Sequence, residues 1–184
     1  MEENYVERIV TNLEKESVRM IHSIVPIYDE NSRILILGSF PSVKSREKSF
    51  YYAHPQNRFW RLLAGIFGEE DIPSDNAEKS TFLLSHKIAL FDVIASCEIT
   101  GSSDYSIRNV IPNDLTPILK KADIQGIYCN GTSSFKLYEK YLEKITGIKA
   151  HLLPSTSPAN ASWTFDRLIV KWAEELMPVF RNHE

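Results

Sequence analysis

The sequence predicts a three-layer α/β/α domain built around a central, mainly parallel four-stranded sheet. Four short apolar runs, at 34–37, 88–91, 127–129 and 151–153, each end in a turn or polar residue, and segments with helical patterns alternate with them. Short continuous apolar runs are typical of strands that are buried on both faces. Strands that alternate with helices are typical of a parallel sheet with helices packed on both sides.

Helical spacing of apolar residues accounts for most connections between these strands. It covers residues 59–67, 115–121 and 135–145, and a last helix carries Phe165, Leu168, Ile169, Trp172 and Leu176 on one face. Near the N-terminus the same spacing is shown by Val6, Ile9, Val10 and Leu13, followed by Met20 and Ile21. We therefore expect a single domain over residues 1–184, with a helical extension over residues 1–25 packed on it.

Bulk composition limits the classes of function. At 184 residues with 43% hydrophobic content, the chain can bury one sizeable core. The formal net charge of -3 argues against a protein that coats nucleic acid, so any contact with DNA must be local. The two cysteines, Cys97 and Cys129, are too few for a disulfide framework or a four-cysteine metal site, and we expect both to be reduced core residues.

Neither a metal, an organic cofactor nor a membrane is expected as a partner. The five histidines show no His-Glu-x-x-His motif, and His54 before Pro55 is explained as a loop residue that forms hydrogen bonds. No stretch approaches the roughly 18 apolar residues of a membrane span, and the N-terminus lacks the apolar run of a signal peptide. We therefore expect a soluble, cytoplasmic protein.

A long segment after the first strand, residues 38–60, holds most of the chemically useful side chains. In parallel α/β sheets, ligands bind beyond the carboxyl ends of the strands, which is where this segment begins. It combines aromatic rings with cations, which outnumber the single acidic residue, Glu47. The cations are Lys44, Arg46, Lys48 and Arg58, and Arg61 follows directly after the segment. Cations interleaved with rings suit a nucleic acid, whose phosphates and bases must both be held. A solvated, charged loop is the alternative.

Two stretches of the sequence resemble the mismatch-specific uracil-DNA glycosylases. Gly-Ser-Phe-Pro at 38–41 and Tyr-Ala-His-Pro-Gln-Asn-Arg-Phe-Trp at 52–60 are similar to that family's Gly-x-Asn-Pro turn and its Phe-Ala-His-Pro-x-Asn-Arg-Phe-Trp segment. Leu-Pro-Ser-Thr-Ser-Pro-Ala-Asn-Ala-Ser at 153–162 occupies the place of the second motif of the superfamily. The resemblance implies a DNA glycosylase fold and a DNA substrate that contains a deaminated base.

One departure points to a branch of that superfamily. Phe40 stands where the mismatch-specific enzymes have the asparagine that holds the hydrolytic water. The sequence therefore resembles the hypoxanthine-DNA glycosylase branch, which has Gly-Ser-x-Pro in this turn and relies on the asparagine of the His-Pro-x-Asn segment. That residue is Asn57, which the resemblance makes the catalytic residue that positions the water; capping of the following helix is the alternative.

The resemblance also implies a set of residues that bind the base. They are Gly38, Ser39, Phe40 and Pro41 in the turn, Tyr52 stacked on the flipped base, Asp92 as a residue that recognises the base, and Asn130. Tyr51 is expected to pack inward. Gly38 has the alternative of a purely structural glycine at the end of a strand, and Asp92 that of capping a turn or helix. Asn130 is included because it also stands at a strand end, and its alternative is to cap the helix near Phe135.

A further set is expected to bind the DNA strand. It consists of Ser42, Lys44, Ser45 and Arg46 in the first segment and of Ser155, Thr156, Ser157, Pro158 and Asn160 in the second. The resemblance implies that the tip at 159–161 enters the space that the flipped nucleotide leaves or contacts the opposite strand. As structure alone, Ser162 or Thr164 would cap the last helix.

The sequence thus predicts a monofunctional DNA glycosylase of base excision repair that removes hypoxanthine from deoxyinosine and leaves an abasic site. The resemblance places no lysine for a Schiff base, so strand cleavage is not expected. A uracil or mismatched-uracil glycosylase is the alternative within the class, and a non-catalytic protein that binds damaged DNA or a nucleotide is the alternative outside it. We expect a monomer.

Overall fold

The computed structural model describes residues 17–99 and 107–181. In chain order its strands are β1 (Val18–Ile21), β2 (Ile34–Gly38), β3 (Ile88–Asp92), β4 (Ile94–Ile99), β5 (Arg108–Pro112), β6 (Gly126–Asn130) and β7 (Ala150–Leu153). Its helices are α1 (Val43–Lys48), α2 (Phe59–Phe67), α3 (Asn76–Ser85), α4 (Thr116–Lys121), α5 (Thr132–Tyr141), α6 (Glu143–Thr146) and α7 (Phe165–Arg181). This is the α/β fold that the sequence predicts.

The central sheet has the strand order β3-β2-β6-β7, with every neighbouring pair parallel. All residues of β2 and β3 are buried, as expected for strands covered on both faces. Leu37 pairs with Phe91 and Cys129, and Asn130 pairs with Leu153, so the strands end along one edge of the sheet. The four predicted strands are therefore confirmed, and the segments that follow them meet at this edge.

The helices agree with the sequence pattern in most places. α2 covers the predicted residues 59–67, and α7 packs against it. α7 is also joined to the central sheet, because the Tyr128 hydroxyl of β6 donates to the Glu175 carbonyl oxygen (3.1 Å). The single helix predicted over 135–145 is wrong, because the chain turns at Leu142 and continues as α6. α1 and α3 were not predicted, and α1 lies inside the segment interpreted as a loop.

A second, antiparallel sheet of strand order β1-β4-β5 was also not predicted. It corrects the helix expected at Met20 and Ile21, because these residues pair with Cys97 and Ser96 in β4. Val6, Ile9, Val10 and Leu13 lie outside the described residues. Only Val93 separates β3 from β4, so one stretch of chain joins both sheets and brings the residues after β1 to the carboxyl end of β3.

Both cysteines lie in the core, as predicted; Cys97 is 1% exposed and Cys129 is fully buried. Burial raises the pKa of the Cys129 thiol to about 12, so this thiol stays protonated at neutral pH. In the described part of the chain, no helix combines the length and apolar character needed to cross a membrane.

Candidate active site

A cavity of about 1130 Å³ opens at the carboxyl edge of the central sheet. Most residues predicted to bind the base or the DNA line it: Gly38, Ser39, Phe40, Pro41, Ser42, Ser45, Tyr52, Asn57, Asp92, Asn130, Ser155, Thr156, Ser157 and Asn160. Lys44, Arg46 and Pro158 are not part of its lining. The structure therefore brings both sequence motifs to one cavity, between the turn after β2 and the loop after β7.

Asn57 has its oxygen fixed by two donors. Its Oδ1 accepts hydrogen bonds from the backbone N–H of Phe59 (3.0 Å), the first residue of α2, and from the Thr156 hydroxyl (2.9 Å). Both lone pairs of this carbonyl are thus in use. The helix-capping contact therefore exists, and Asn57 is oriented by bonds that it accepts. Its Nδ2 group has no acceptor among the described residues, so the amide offers the cavity a donor.

A directed chain of hydrogen bonds sets this orientation. The backbone N–H of Thr156 donates to Asn130 Oδ1 (3.0 Å), so the Asn130 Nδ2 group must be the donor to Thr156 Oγ1 (3.0 Å). The Thr156 hydroxyl proton then points to Asn57. Thr156 is fully buried, which corrects its predicted contact with DNA. Asn130 braces Thr156 and does not cap α5, whose N-terminus has no side-chain cap.

Replacing Thr156 by valine is expected to disturb both stability and catalysis. The change keeps the shape but leaves Asn57 Oδ1 and Asn130 Nδ2 each short of one partner, which should lower the free energy of unfolding by about 1–3 kcal/mol. The rate of base release should also fall, since Asn57 is then held by one anchor instead of two. Urea unfolding and single-turnover kinetics measure the two effects. Thr156→Ser, which keeps the hydroxyl, is the control; parental turnover in the valine variant would show that Asn57 needs no second anchor.

Tyr52 is a strained aromatic residue at the cavity wall. Its φ of 51° lies in the left-handed region, which a non-glycine residue rarely adopts without a functional or packing reason. One face of the ring stacks on Phe59, with 3.9 Å between ring centroids, and the side chain lines the cavity. The hydroxyl is buried without a hydrogen-bond partner in the described part of the chain. Burial, with the Asp92 carboxylate adding to it, raises the pKa of Tyr52, so this hydroxyl remains neutral.

Asp92 is buried at the end of β3, with 4% of its surface exposed. Its Oδ2 lies 2.8 Å from His22 Nε2, while Oδ1 has no partner among the residues described. A Cβ atom on Gly38 would lie 2.1 Å from that Oδ1 and 3.2 Å from the Tyr52 hydroxyl oxygen, so only glycine fits at position 38. Asp92 caps neither a turn nor a helix. Its second oxygen is an acceptor that lies close to Gly38, as does the Tyr52 hydroxyl.

The turn after β2 adds backbone donors. The carbonyl oxygens of Gly38 and Ser39 accept from the N–H groups of Val93 (2.9 Å) and Ile94 (3.1 Å), which holds the turn against the start of β4. The N–H groups of Ser39 and Phe40 have no acceptor within residues 17–99 and 107–181. Together with Asn57 Nδ2 they form a set of donors on the wall of the cavity.

Arg58 organises the loop after β7. Its guanidinium donates to five carbonyl oxygens of that loop: Thr156 (3.2 Å), Ser157 (2.7 Å), Asn160 (3.1 Å), Ser155 (3.4 Å) and Trp163. Arg58 therefore does not belong to the basic surface that the sequence suggested. The loop is held in shape from within, since Asn160 Nδ2 also donates to the Ser155 carbonyl oxygen (2.9 Å). Thr164 caps α7, because its Oγ1 accepts from the Arg167 N–H (3.4 Å).

The basic surface is smaller than predicted. Arg46 donates to the Pro41 carbonyl oxygen (2.6 Å), Arg61 lies 4.3 Å from the centre of the Phe165 ring, and Lys44 pairs with Glu47 (2.8 Å). Ser45 is buried inside the first turn of α1, which corrects its predicted contact with DNA. Ser42 caps the same helix and stays exposed. On α1, Lys44 and Lys48 are exposed and Arg46 is half-buried, and Arg61 on α2 is exposed as well.

The site has no feature of a metal centre. Among the described residues, no group of three or more His, Cys, Asp or Glu side chains is placed to hold a metal ion. The cavity offers a carboxylate oxygen, an aromatic face and several N–H donors. This set defines the class of site: a pocket at the carboxyl edge of an α/β sheet that can bind a planar heterocycle with both donors and acceptors on its edge.

The chain belongs to the uracil DNA glycosylase superfamily, whose family model matches residues 25–177. It is 38% identical over 137 residues to a hypoxanthine DNA glycosylase of Methanosarcina barkeri, an alignment that covers 73% of this chain and 85% of the relative. It is 33% identical over 141 residues to a hypoxanthine DNA glycosylase of Methanosarcina acetivorans, covering 77% of this chain and 89% of the relative.

A solved structure supports the same assignment. The fold is similar to the solution NMR structure of a candidate uracil DNA glycosylase from Methanosarcina acetivorans, with a TM-score of 0.74 and 32% sequence identity. The match covers 88% of this chain and 99% of that one. The family suggested by the two sequence motifs is therefore confirmed.

Proposed function

We propose that this protein is a monofunctional DNA glycosylase that hydrolyses the N-glycosidic bond of deoxyinosine in DNA and leaves an abasic site. The observation that carries the proposal is the unpartnered Oδ1 of Asp92, which lies close to Gly38, as does the Tyr52 hydroxyl, where all three residues line the cavity. The names of the two relatives support the same substrate.

The chemistry of the base edge favours hypoxanthine at this acceptor. Hypoxanthine has an N1–H donor with a carbonyl on one side and a C–H on the other, whereas uracil has carbonyl oxygens on both sides of its N3–H. A carboxylate has only acceptors, so it can take the N–H of either base but repels the second carbonyl of uracil. The backbone N–H donors at Ser39 and Phe40 match the single O6 of hypoxanthine. An inosine mispair is also cheaper to open than a Watson–Crick pair.

In the proposed reaction, bond cleavage gives a sugar with oxocarbenium character and a base that leaves with negative charge. The N–H donors of the turn after β2 stabilise that charge, as does the positive amino end of α5, where Gly131, Thr132 and Ser133 line the cavity. Asn57 positions the attacking water through Nδ2: the water accepts this hydrogen bond with one lone pair and attacks with the other. An amide is too weak to act as a general base, and a cationic sugar needs none. The C1′–O bond forms after the bond to the base has broken, and the proton that the water loses passes through solvent to the departing base anion, which leaves as neutral hypoxanthine.

Product analysis tests this function directly. The protein is incubated with an oligonucleotide that contains one deoxyinosine, and free hypoxanthine is measured by liquid chromatography. We expect release of hypoxanthine and an abasic strand that breaks only after alkaline treatment. Release of uracil alone from a matched substrate would favour a uracil glycosylase, in keeping with the description of the solved relative. Binding of the oligonucleotide without release of either base would indicate a non-catalytic member of the superfamily that binds damaged DNA.

We also propose that one copy of the chain acts on DNA in the cytoplasm, with α1 contacting the phosphates. Lys44 and Arg46 lie on α1, the helix that follows the turn after β2. The loop at 155–160 would contact the strand through its half-exposed Ser155, Ser157 and Asn160 and its exposed Pro158.

Neutralising Lys44 and Arg46 together, as Lys44→Gln and Arg46→Gln, is expected to weaken binding to all DNA sequences alike. The slope of log affinity against log salt should fall by about 1 for each phosphate that the variant no longer neutralises. Fluorescence anisotropy at several salt concentrations measures both effects. Lys149→Gln is the matched control, because Lys149 is exposed just before β7, at the opposite edge of the sheet. An unchanged salt slope would show that α1 does not face the backbone.

A further inference from the structure

We infer that His22 is a positioning residue that fixes the Asp92 carboxylate for recognition of the base. His22 lies before the range matched by the superfamily model, residues 25–177. The inference rests on the proposed function, because it assigns His22 a part in choosing the base.

His22 reaches the site through the small antiparallel sheet. It follows β1 directly, and its backbone N–H donates to the Ala95 carbonyl oxygen in β4 (2.7 Å). Because β4 continues from β3 after one residue, this pairing sets the imidazole beside the last residue of β3, which is Asp92. The N-terminal segment thus contributes a side chain that contacts Asp92, one of the residues that line the cavity.

The hydrogen bonds of the imidazole fix its tautomer. The backbone N–H of Ile24 donates to Nδ1 (3.2 Å), so Nδ1 carries a lone pair and the proton resides on Nε2. Nε2 then donates to Asp92 Oδ2 (2.8 Å). The two side chains are 2% and 6% exposed, so little water competes for this bond. One carboxylate oxygen is therefore bound to His22, and the other lies close to Gly38, which lines the cavity together with Asp92.

Aromatic side chains hold the ring in place. The His22 ring lies edge-on to Phe91 (5.2 Å between centroids) and to Phe40 (6.0 Å), and it also contacts Tyr51 (6.2 Å). Phe40 stands where the mismatch-specific enzymes have an asparagine. Here its ring packs against His22 and forms one wall of the niche around the imidazole. The rigid niche keeps Asp92 Oδ1 above Gly38, where the base edge would meet it.

Two replacements that differ by one methylene group test the inference. The amide nitrogen of His22→Gln can occupy the place of Nε2 and donate to Asp92, whereas the shorter amide of His22→Asn cannot reach it. The measurement is the ratio of single-turnover rates on deoxyinosine and deoxyuridine in otherwise identical oligonucleotides. We expect His22→Asn to lower this ratio by about tenfold and His22→Gln to keep it within about threefold of the parent.

A double-mutant cycle separates positioning from general damage. If His22 acts through Asp92, His22→Asn should leave the ratio unchanged in an Asp92→Asn background. A loss of stability would lower both rates and leave their ratio intact, so an unchanged ratio in His22→Asn overturns the inference. The inference is also overturned if His22→Asn changes the ratio equally in the parental and the Asp92→Asn backgrounds. A parent that releases uracil in preference to hypoxanthine overturns the proposed substrate while the effect of His22 on the ratio is still measured; a parent that releases neither base overturns both.

Discussion

Asn57→Asp is expected to remove most base release while keeping the fold. An aspartate can accept the same two hydrogen bonds, from the Phe59 N–H and from the Thr156 hydroxyl, and it is an equally good residue at a helix start. It lacks the Nδ2 donor that faces the cavity. Because removal of one preorganised donor from an active site costs about 10²–10³-fold in rate, we expect a decrease of that order.

The comparison with Asn57→Ala completes this test. The alanine variant lacks the donor and both accepted bonds, so it should be as inactive and also less stable by about 1 kcal/mol. Both variants should still bind DNA that contains deoxyinosine, since the groups that face the phosphates are unchanged. Single-turnover rates, gel-shift affinities and thermal unfolding give the three quantities. A fully active aspartate variant would show that residue 57 works as an acceptor for the water, and near-parental turnover by the alanine variant would leave Asn57 as a helix cap only.

The strands and the location of the site could be predicted because their signals are local in sequence. Each core strand is one uninterrupted apolar run, and every residue of β2 is buried. The motif around Asn57 could be matched without knowledge of the fold, since its residues are consecutive. Parallel strands then require the segments after them to meet at one edge.

The second sheet could not be predicted, because its pairing is distant in sequence and its residues give a weak pattern. Val18 and Ile21 of β1 are 58% and 69% exposed, so neither alternation nor a continuous apolar run marks this strand. Its partner, β4, starts 73 positions after β1 ends, at Ile94, as their bounds show. The apolar residues Met20 and Ile21 also fit the helical spacing of the residues before them, which is why the helical extension was expected to continue to Ile21.

The arrangement of donors and acceptors in the site could not be predicted from the sequence for the same reason. The direction of the Asn57 amide depends on Thr156, 99 residues away, and the orientation of Asp92 depends on His22, 70 residues away. The sequence shows that Arg58 is a cation. Only the fold shows that Arg58 donates hydrogen bonds to carbonyl oxygens of a loop 97 to 105 residues further on. Residue types therefore indicated which groups meet, while hydrogen-bond directions decide what each group offers to a substrate.

Asp92→Asn is expected to shift preference from hypoxanthine toward uracil. The Nε2–H of His22 must face an acceptor, so it will select the amide oxygen of the new side chain. The introduced NH₂ group then takes the place of the unpartnered Oδ1, above Gly38 and toward the cavity. A donor now stands where an acceptor stood. It opposes the N1–H of hypoxanthine and suits a carbonyl oxygen of uracil.

The size of this shift follows from the cost of a buried donor left without a partner, about 1–3 kcal/mol, which is about fivefold to 150-fold in the ratio of rates. The ratio of single-turnover rates on deoxyinosine and deoxyuridine measures it, with thermal unfolding to confirm that the variant is folded. Equal losses on both substrates would mean that the carboxylate acts on the water, which both reactions share. An unchanged ratio with unchanged rates would make Asp92 a structural partner of His22, and the choice of hypoxanthine would then have to come from the backbone donors at Ser39 and Phe40.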